Sequence, residues 1–311
     1  MNKKKIIIVT GTGGILGTGH FQRMTNLAVS INKKKNLSAS IFLPYNNSYN
    51  KHTVTEKFKD ILTDNIPKDT DLIIRDMRDS SVAEIENLKT TATVLAIDDI
   101  GEGKDSADYK LYLLPTTLES SNNIKLSHEL FLYGYNFIQA IESLKEKISV
   151  NKDIDTAIYL GYDPDKELVS KIKNSINKNL SAILLSNGGA TSLTDRLIPH
   201  DIQYGEVLCR SKILITHFGI TMFEGHICGC KIAALNPSAY HSALTDIIYD
   251  DFNILYMSDY TSFAADEMFN IINQNLKIIN DKVITIDNIL TKINSGNENF
   301  IKYIKKILSV R

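Results

Sequence analysis

Short apolar runs alternate with helical patterns along the first half of the chain. The run from Lys5 to Thr10 ends in glycines, and its apolar centre predicts a strand that is buried on both faces of a sheet. Residues 20–35 carry apolar side chains at helical spacing and end in lysines, which suits the carboxyl end of a helix. Strands that alternate with helices indicate an α/β fold with a doubly wound sheet. The same patterns predict further strands at 39–43, 72–74, 94–97, 111–114 and 131–133, and a helix at 82–88.

The alternation begins again near residue 150. Gly229 directly follows a predicted helix and is a natural residue to end it. Apolar positions at Ile301, Ile304, Ile307 and Leu308 form a stripe on a predicted C-terminal helix. The second series comprises strands at 157–160, 182–185, 213–215 and 232–235, helices at 167–176 and 221–228, and a mostly helical tail over 262–310.

Two similar domains are therefore expected, an N-terminal one over residues 1–148 and a C-terminal one over residues 149–311 with the final helices. Open α/β sheets bind ligands beyond the carboxyl ends of their strands, and helix N-termini favour phosphates. We expect a cleft between the domains that binds a phosphorylated, nucleotide-bearing ligand. Architecture alone does not fix the function.

Composition and charge narrow the class of partner. The chain has 311 residues, about twice a usual domain, with 35 basic and 36 acidic side chains. A protein that binds nucleic acid normally has a basic excess, so no nucleic acid is expected as a partner. The longest apolar runs are too short for a signal peptide or a transmembrane helix, and three cysteines are an odd number for a secreted disulfide framework. The sequence predicts a cytoplasmic protein without a transmembrane segment.

A glycine-rich loop follows the first predicted strand. Its glycines let the backbone approach a ligand closely and offer N–H groups to an anion. It is not a Walker loop, since no Gly-Lys-Ser/Thr follows. A dinucleotide fingerprint is only partly matched, because Leu16 occupies the third glycine position. A strand-to-helix turn with no ligand is the other interpretation. The loop contains Gly11, Gly13, Gly14, Gly17 and Gly19.

Three segments together resemble one family. Residues Gly17–Met24 resemble the G-x-G-H-x-x-R loop of the UDP-sugar hydrolases of pseudaminic acid biosynthesis and their spore-coat polysaccharide relatives. Residues Ile215–Glu224 resemble the family's second motif, with a glycine, an aromatic residue and a glutamate. Residues Val94–Asp99 are similar to its strand that ends in paired aspartates. These proteins are similar in turn to the UDP-GlcNAc transferase that makes lipid II.

The resemblance implies a GT-B fold, two Rossmann-like domains facing across a cleft, and a UDP-sugar as substrate. It implies that His20 is the base and that Glu224 binds the ribose hydroxyls of UDP. Ile220 and Met222 stand where the family commonly has hydroxyl residues, and its Asn-Gln pair falls at Tyr240–His241. The implied substrate contacts are Gly17, Gly19, Arg23, Asp76, Asp98, Asp99, Gly219, Thr221, Met222, Glu224 and His241.

These roles suit the chemistry of the side chains. A histidine can accept a proton from water or a sugar hydroxyl at neutral pH. A carboxylate can accept hydrogen bonds from both ribose hydroxyls. A helix that starts near Gly219 would stabilise the departing pyrophosphate, so no metal and no cofactor is expected.

Several acidic residues have two interpretations each. Asp76 lies in an Arg-Asp-Met-Arg-Asp segment that follows a predicted strand, so it either faces the cleft or belongs to a salt-bridged turn. Asp98 and Asp99 are sugar contacts by resemblance, and capping or surface residues otherwise.

A zinc site is disfavoured. The candidate ligands are His226, Cys228 and Cys230, with His217 or Cys209 as a fourth. Their alternating spacing on a helix points successive side chains in different directions, and the sequence contains no Cys-x-x-Cys pair. Buried thiols that pack a helix end are the better interpretation. The sequence contains no Gly-x-Ser-x-Gly motif, so hydrolysis through a serine nucleophile is not expected.

The sequence thus predicts an enzyme that cleaves the anomeric C–O bond of a UDP-sugar and releases UDP. Hydrolysis in a surface-glycan or nonulosonic acid pathway is the first hypothesis. A GT-B glycosyltransferase with a UDP-sugar donor is the second, and a nucleotide-sugar-binding protein without turnover is the third.

Overall fold

The chain forms two compact units in a computed structural model. Unit 1 comprises Met1–Tyr135 with Ile293–Arg311, and unit 2 comprises Asn136–Lys292. Among the described residues, no helix combines the length and the apolar character needed to cross a membrane. The structure describes residues 3–11, 18–44, 57–116, 128–147, 149–161, 164–177, 180–186, 189–194, 203–279 and 283–310.

Unit 1 contains one six-stranded sheet in which all paired strands are parallel. Its strand order is β3-β2-β1-β4-β5-β6, which is the Rossmann order with its switch point between β1 and β4. The predicted strands at 39–43, 72–74 and 94–97 are confirmed within a few residues. The elements are β1 Lys4–Thr10, α1 Gly19–Asn32, β2 Leu37–Phe42, β3 Leu62–Thr63, β4 Leu72–Asp76, α2 Val82–Lys89, β5 Thr93–Ile97 and β6 Tyr109–Leu111.

Unit 2 repeats this topology. Its sheet has the order β10-β9-β8-β11-β12-β13, with β10 antiparallel and the other pairs parallel, so the switch point lies between β8 and β11. Gly229 follows its helix with a φ of 74°, which confirms the predicted helix end. The elements are α3 Tyr135–Ser143, β7 Ser149–Val150, β8 Ile154–Tyr159, α4 Lys166–Ser175, β9 Ala182–Ser186, β10 Gly189–Ser192, α5 Tyr204–Arg210, β11 Ser211–Thr216, α6 Ile220–Ile227, β12 Lys231–Asn236, α7 Ala239–Ile247, β13 Ile254–Asp259, α8 Ala265–Leu276 and β14 Ile284–Thr285.

The last helix, α9 (Ile286–Ser309), begins in unit 2 and its residues from Ile293 onward belong to unit 1. Its predicted apolar stripe is confirmed, since Ile301, Ile304 and Ile307 are buried in one cluster with side chains of β1 and α1. The predicted boundary between residues 148 and 149 differs from this division. For the last helix the apolar stripe gives the reason, because it completes the core of unit 1 rather than that of unit 2.

The strand predicted at 131–133 is wrong. Phe131 and Leu132 are buried, as their apolar character suggests, but they form no sheet ladder. They pack instead beside α9, where a Cβ at Gly296 would lie 2.4 Å from the carbonyl oxygen of Phe131. The apolar run at 131–133 therefore correctly indicated buried side chains but not a strand. The strand predicted at 111–114 lies earlier, as β6.

Candidate functional site

The switch point of unit 1 brings three chain segments together. Parallel strands place their carboxyl ends at one edge, and here β1 ends at Thr10 while β4 ends at Asp76. The Thr10 hydroxyl donates to the carbonyl oxygen of Asp76 over 3.1 Å. Helix α1 begins at Gly19, so His20 lies in its first turn. Gly17, which the sequence also placed at this site, lies outside the described residues.

His20 is paired with a buried carboxylate. Its Nδ1 lies 2.8 Å from Oδ1 of Asp76, whose side chain is 0% exposed while that of His20 is 11% exposed. An ionised carboxylate only accepts hydrogen bonds, so the proton of a neutral His20 belongs on Nδ1. The lone pair is then on Nε2. This is the arrangement in which a carboxylate orients an imidazole to act as a base.

Arg23, one turn further along α1, holds the same carboxylate. Its Nε donates to Oδ2 of Asp76 over 2.7 Å and its Nη2 to Oδ1 over 2.5 Å. Burial alone would raise the pKa of Asp76, but the charge of Arg23 and the contact with His20 hold that pKa well below its usual range. Asp76 is therefore ionised at neutral pH. Burial also opposes the charge on Arg23, but Asp76 and Asp98 together raise its pKa.

Asp98 completes this cluster directly after β5. Its Oδ2 lies 2.7 Å from Nη2 of Arg23, and its Oδ1 accepts from the backbone N–H groups of Leu113 and Leu114 over 2.7 and 3.0 Å. Its φ of 47° is a left-handed conformation that Asp tolerates better than most residues. Burial raises the pKa of Asp98, with Arg23 opposing and Asp76 adding to the rise. Four predicted site residues, His20, Arg23, Asp76 and Asp98, thus form one contiguous cluster.

Asp99 does not join that cluster. Its oxygens accept from Nη1 of the fully buried Arg75 over 3.0 Å and from the backbone N–H groups of Ser80 and Gly101 over 3.1 and 2.9 Å. Arg75 also donates to both oxygens of Glu84 over 2.8 and 3.1 Å. Asp99 therefore connects the loops that follow β4 and β5. The ion pairs of Arg75 with Asp99 and Glu84 correspond to the salt-bridged turn that was one interpretation of the Arg-Asp-Met-Arg-Asp segment.

In unit 2, the second motif spans the end of β11 and the start of α6. Thr221 and Glu224 are buried on α6, at 5% and 2% exposure. Gly219 precedes the helix in extended backbone, with a φ of 161°. Met222 is 0% exposed, and its apolar side chain is buried among its neighbours.

A tyrosine that no motif identified joins the two polar residues of α6. The hydroxyl of Tyr204, at the start of α5, lies 2.6 Å from Oε2 of Glu224 and 2.9 Å from Oγ1 of Thr221. Burial and the neighbouring charge of Glu224 raise the pKa of Tyr204 well above its ordinary value. The phenol therefore remains protonated at neutral pH and serves as a hydrogen-bond donor to the carboxylate.

His217 lies at the switch point of unit 2, directly after β11. Its ring stacks on Tyr159 at a centroid distance of 6.3 Å and meets His241 edge to face at 6.2 Å. The buried Nδ1 of His217 makes no hydrogen bond with the described residues. Burial, with His241 adding to it, lowers the pKa of His217 to about 4, so its ring is neutral at physiological pH. Gly161 follows β8 with a φ of 100°, a conformation that favours glycine.

His241 is placed on α7, and its Nδ1 lies 2.8 Å from the hydroxyl of Ser238. Of the residues at this end of unit 2, the sequence missed Tyr159 and Tyr204 and considered His217 only as a metal ligand. His217 had a usable signal, because it follows a predicted strand of the sheet. Tyr204 had none, since it opens a helix of seven residues that no pattern marked.

The three cysteines are buried thiols. Cys209 Sγ lies 3.4 Å from Cys228 Sγ, and Lys152 Nζ lies 3.7 Å from Cys230 Sγ while it donates to two backbone carbonyls. Burial raises the pKa of Cys228 and of Cys230. Within the described ranges, no group of three His, Cys, Asp or Glu side chains is arranged to hold a metal ion.

The two Rossmann-like units define the class of protein: the chain has the architecture of the GT-B fold. The sequence matches no protein-family model and no curated protein. The three-dimensional structure, in contrast, is similar to solved structures over nearly the whole length of the chain.

Three solved structures illustrate it. The S. aureus protein MnaA in complex with UDP is 9% identical, with a TM-score of 0.56 over 99% of this chain and 98% of its own. A UDP-GlcNAc 2-epimerase from Neisseria meningitidis bound to UDP-GlcNAc is 12% identical, with a TM-score of 0.53 over 97% and 100%. The calicheamicin glycosyltransferase CalG4 is 7% identical, with a TM-score of 0.51 over 99% and 98%. At these identities the likeness establishes the fold.

Proposed function

We propose that the protein hydrolyses a UDP-sugar by cleaving the bond between the anomeric carbon and the diphosphate oxygen. The observation that carries this proposal is the pair of His20 and the buried Asp76, with Nδ1 and Oδ1 2.8 Å apart. The resemblance of residues 17–24 to the G-x-G-H-x-x-R loop of UDP-sugar hydrolases supports it. The product would enter surface-glycan or nonulosonic acid biosynthesis.

In the proposed reaction, His20 acts on the attacking water. Its Nε2 takes a proton from water as the oxygen bonds to the anomeric carbon, and the carbon–oxygen bond to the diphosphate breaks. The bonding electrons leave with UDP. The Asp76 carboxylate accepts the Nδ1–H and stabilises the imidazolium that forms. Arg23 keeps that carboxylate ionised, so we assign it a positioning role.

Unit 2 supplies the nucleotide contacts in this proposal. Glu224 accepts hydrogen bonds from the ribose hydroxyls. The N-terminus of α6 and the Gly219 backbone face the diphosphate, where the partial positive charge of a helix end favours an anion. The departing UDP would be stabilised in the same way, so the proposal requires no metal. The structures of MnaA with UDP and of the epimerase with UDP-GlcNAc support this ligand class through their shared fold.

Glycosyl transfer is the second candidate, and the GT-B fold shared with a glycosyltransferase favours it. The bond that breaks is the same, but a sugar or lipid-linked hydroxyl replaces water. Epimerisation at C-2 is suggested by the epimerases that share the fold. Binding without turnover is the remaining alternative.

A single assay separates these candidates. The full chain is incubated with a panel of UDP-sugars in water enriched in ¹⁸O, with and without acceptor sugars, and the products are followed by NMR and mass spectrometry. Hydrolysis at carbon predicts release of UDP that contains no ¹⁸O, without any need for an acceptor. Turnover only with an acceptor would indicate transfer, and a C-2 epimer would indicate epimerisation. ¹⁸O in the diphosphate would contradict cleavage at the anomeric carbon.

A further inference from the structure

The hydroxyl of Tyr204 contacts Glu224, the residue that is proposed to bind the ribose hydroxyls of UDP. We propose that Tyr204 is a positioning residue that orients the Glu224 carboxylate toward the vicinal hydroxyls of a ribose. This inference rests on the proposed function, because it assumes that Glu224 binds a nucleotide. Tyr204 would then determine how strongly the protein distinguishes ribonucleotides from nucleotides that lack these hydroxyls.

The first argument is the burial of Glu224, which is only 2% exposed. A buried carboxylate is costly unless hydrogen bonds compensate for the lost water. The Tyr204 hydroxyl, 2.6 Å from Oε2, provides such a bond and fixes that oxygen in one direction. A carboxylate offers about four acceptor positions, and the Tyr204 hydroxyl occupies one of them.

The second argument is the rigidity of the two helices that carry the pair. Gly205 follows Tyr204, and a Cβ there would lie 2.8 Å from the Cβ of Ala140. Gly225 follows Glu224, and a Cβ there would lie 2.3 Å from Cδ2 of Leu214. Both backbones thus lie unusually close to their neighbours. Such close packing restricts movement of α5 and α6, so the tyrosine and the carboxylate keep a constant separation.

The third argument is the setting of the Tyr204 ring. It meets Phe137 and Tyr159 edge to face at centroid distances of 6.5 and 6.0 Å. Two aromatic neighbours fix the direction of the phenol axis, and the hydroxyl stays protonated because its pKa is raised. Tyr159 in turn stacks on His217 at the switch point. The Tyr204 hydroxyl is therefore a fixed donor next to the proposed nucleotide site.

The test compares UDP with 2′,3′-dideoxy-UDP, using calorimetry on the full chain. Tyr204→Phe removes the hydroxyl and keeps the ring contacts. We expect the wild-type protein to prefer UDP by about tenfold or more, as hydrogen bonds to a charged group allow. Tyr204→Phe should weaken UDP binding severalfold and leave dideoxy-UDP binding unchanged. The matched control is Tyr249→Phe, since Tyr249 is 38% exposed on the same unit and should change neither affinity.

The outcomes distinguish this inference from the proposed function. An equal loss of affinity for both nucleotides in Tyr204→Phe would mean that the tyrosine only supports the fold, and would overturn the inference. In a Glu224→Gln background, Tyr204→Phe should add little to the loss of UDP affinity, whereas an additive loss would also overturn it. A wild-type protein that binds neither nucleotide would instead reject the proposed function. Thermal melting of each variant verifies that it is folded.

Discussion

At the scale of single residues, the proposed catalysis depends on the pair of His20 and Asp76. A base contributes in the transition state, where the attacking oxygen loses its proton. His20→Asn keeps polarity and approximate shape but cannot accept a proton at neutral pH. We expect kcat to fall by about 10²–10⁴, with little change in affinity for the UDP-sugar. The rate of UDP release measures kcat, and calorimetry measures the affinity for the UDP-sugar. Near-normal turnover would remove His20 from the mechanism, and lost affinity with unchanged kcat would make it a ligand contact.

Asp76→Asn tests the orientation of that histidine. An amide keeps the size of the carboxylate but no longer stabilises the imidazolium or fixes the Nδ1 proton, so we expect kcat to fall by about 10²-fold or more. The protein should also lose about 3 kcal/mol of stability, since Arg23 loses its buried partner. Asp79→Asn is the matched control on the same loop, because Asp79 is exposed. Wild-type kcat in a folded Asp76→Asn protein would show that the histidine works without this hydrogen bond.

Sequence patterns indicated His20, Arg23, Asp76 and Asp98 because each belongs to a motif: His20 and Arg23 lie in the first two turns of the helix after β1, and Asp76 and Asp98 lie at the ends of β4 and β5. Parallel strands bring such positions to one edge, which makes their proximity predictable. Met222 was assigned to the site by its place in a motif, and its side chain is fully buried. The direction of a helical side chain depends on tertiary packing, which the sequence does not show. Tyr204 was missed for the same reason, since its partner Glu224 is 20 residues away.

At the scale of elements, α9 is the feature with the clearest energetic test. Phe300 is fully buried in the core of unit 1. Phe300→Ala removes a large apolar side chain from a packed site, so we expect a loss of about 3–5 kcal/mol in the free energy of unfolding. Chemical denaturation measures this loss. Lys305→Ala, on an exposed face of the same helix, should change it by no more than about 0.5 kcal/mol. Equal effects of the two substitutions would contradict the assignment of α9 to that core.

Strands were the most predictable elements of this chain. Parallel strands are buried on both faces, so they appear as short continuous apolar runs between helices. The run at 131–133 had the same appearance but packs beside α9 without sheet pairing. The stripe on α9 likewise indicated that one face is buried, but a periodic pattern contains no information about which sheet covers it. Burial was therefore predictable at both places, and the partner was not.

At the scale of the whole molecule, His217 makes stability depend on pH. Its pKa is about 4 in the folded chain and 6.5 as an ordinary value. Because the folded value is the lower one, the unfolded chain takes up a proton between these values, and stability falls as the pH falls from 6.5 to 4. The loss is at most about 3 kcal/mol, and less to the extent that water reaches the ring. Denaturation at a series of pH values measures it.

His217→Gln should flatten this part of the stability profile. The comparison is with His226→Gln, which removes an exposed histidine from the neighbouring helix and should leave the His217 contribution between pH 6.5 and 4 in place. Asp76 contributes at lower pH, since its depressed pKa makes its stabilisation disappear only when the carboxylate is protonated. A His217→Gln protein that loses as much stability between pH 6.5 and 4 as the wild type would refute the role of His217.

The return of the chain to unit 1 through α9 has a consequence for biosynthesis. Ribosomes extend chains at about 5–20 residues per second, and domains generally fold as soon as they emerge. Unit 1 cannot complete its core at that stage, because Phe300, Ile301, Ile304 and Ile307 are translated only after all of unit 2. Its nascent sheet thus waits roughly ten to thirty seconds with an uncovered apolar face. The unit encoded second is the first to be complete, and the nascent N-terminal unit is the part that a ribosome-bound chaperone would need to shield.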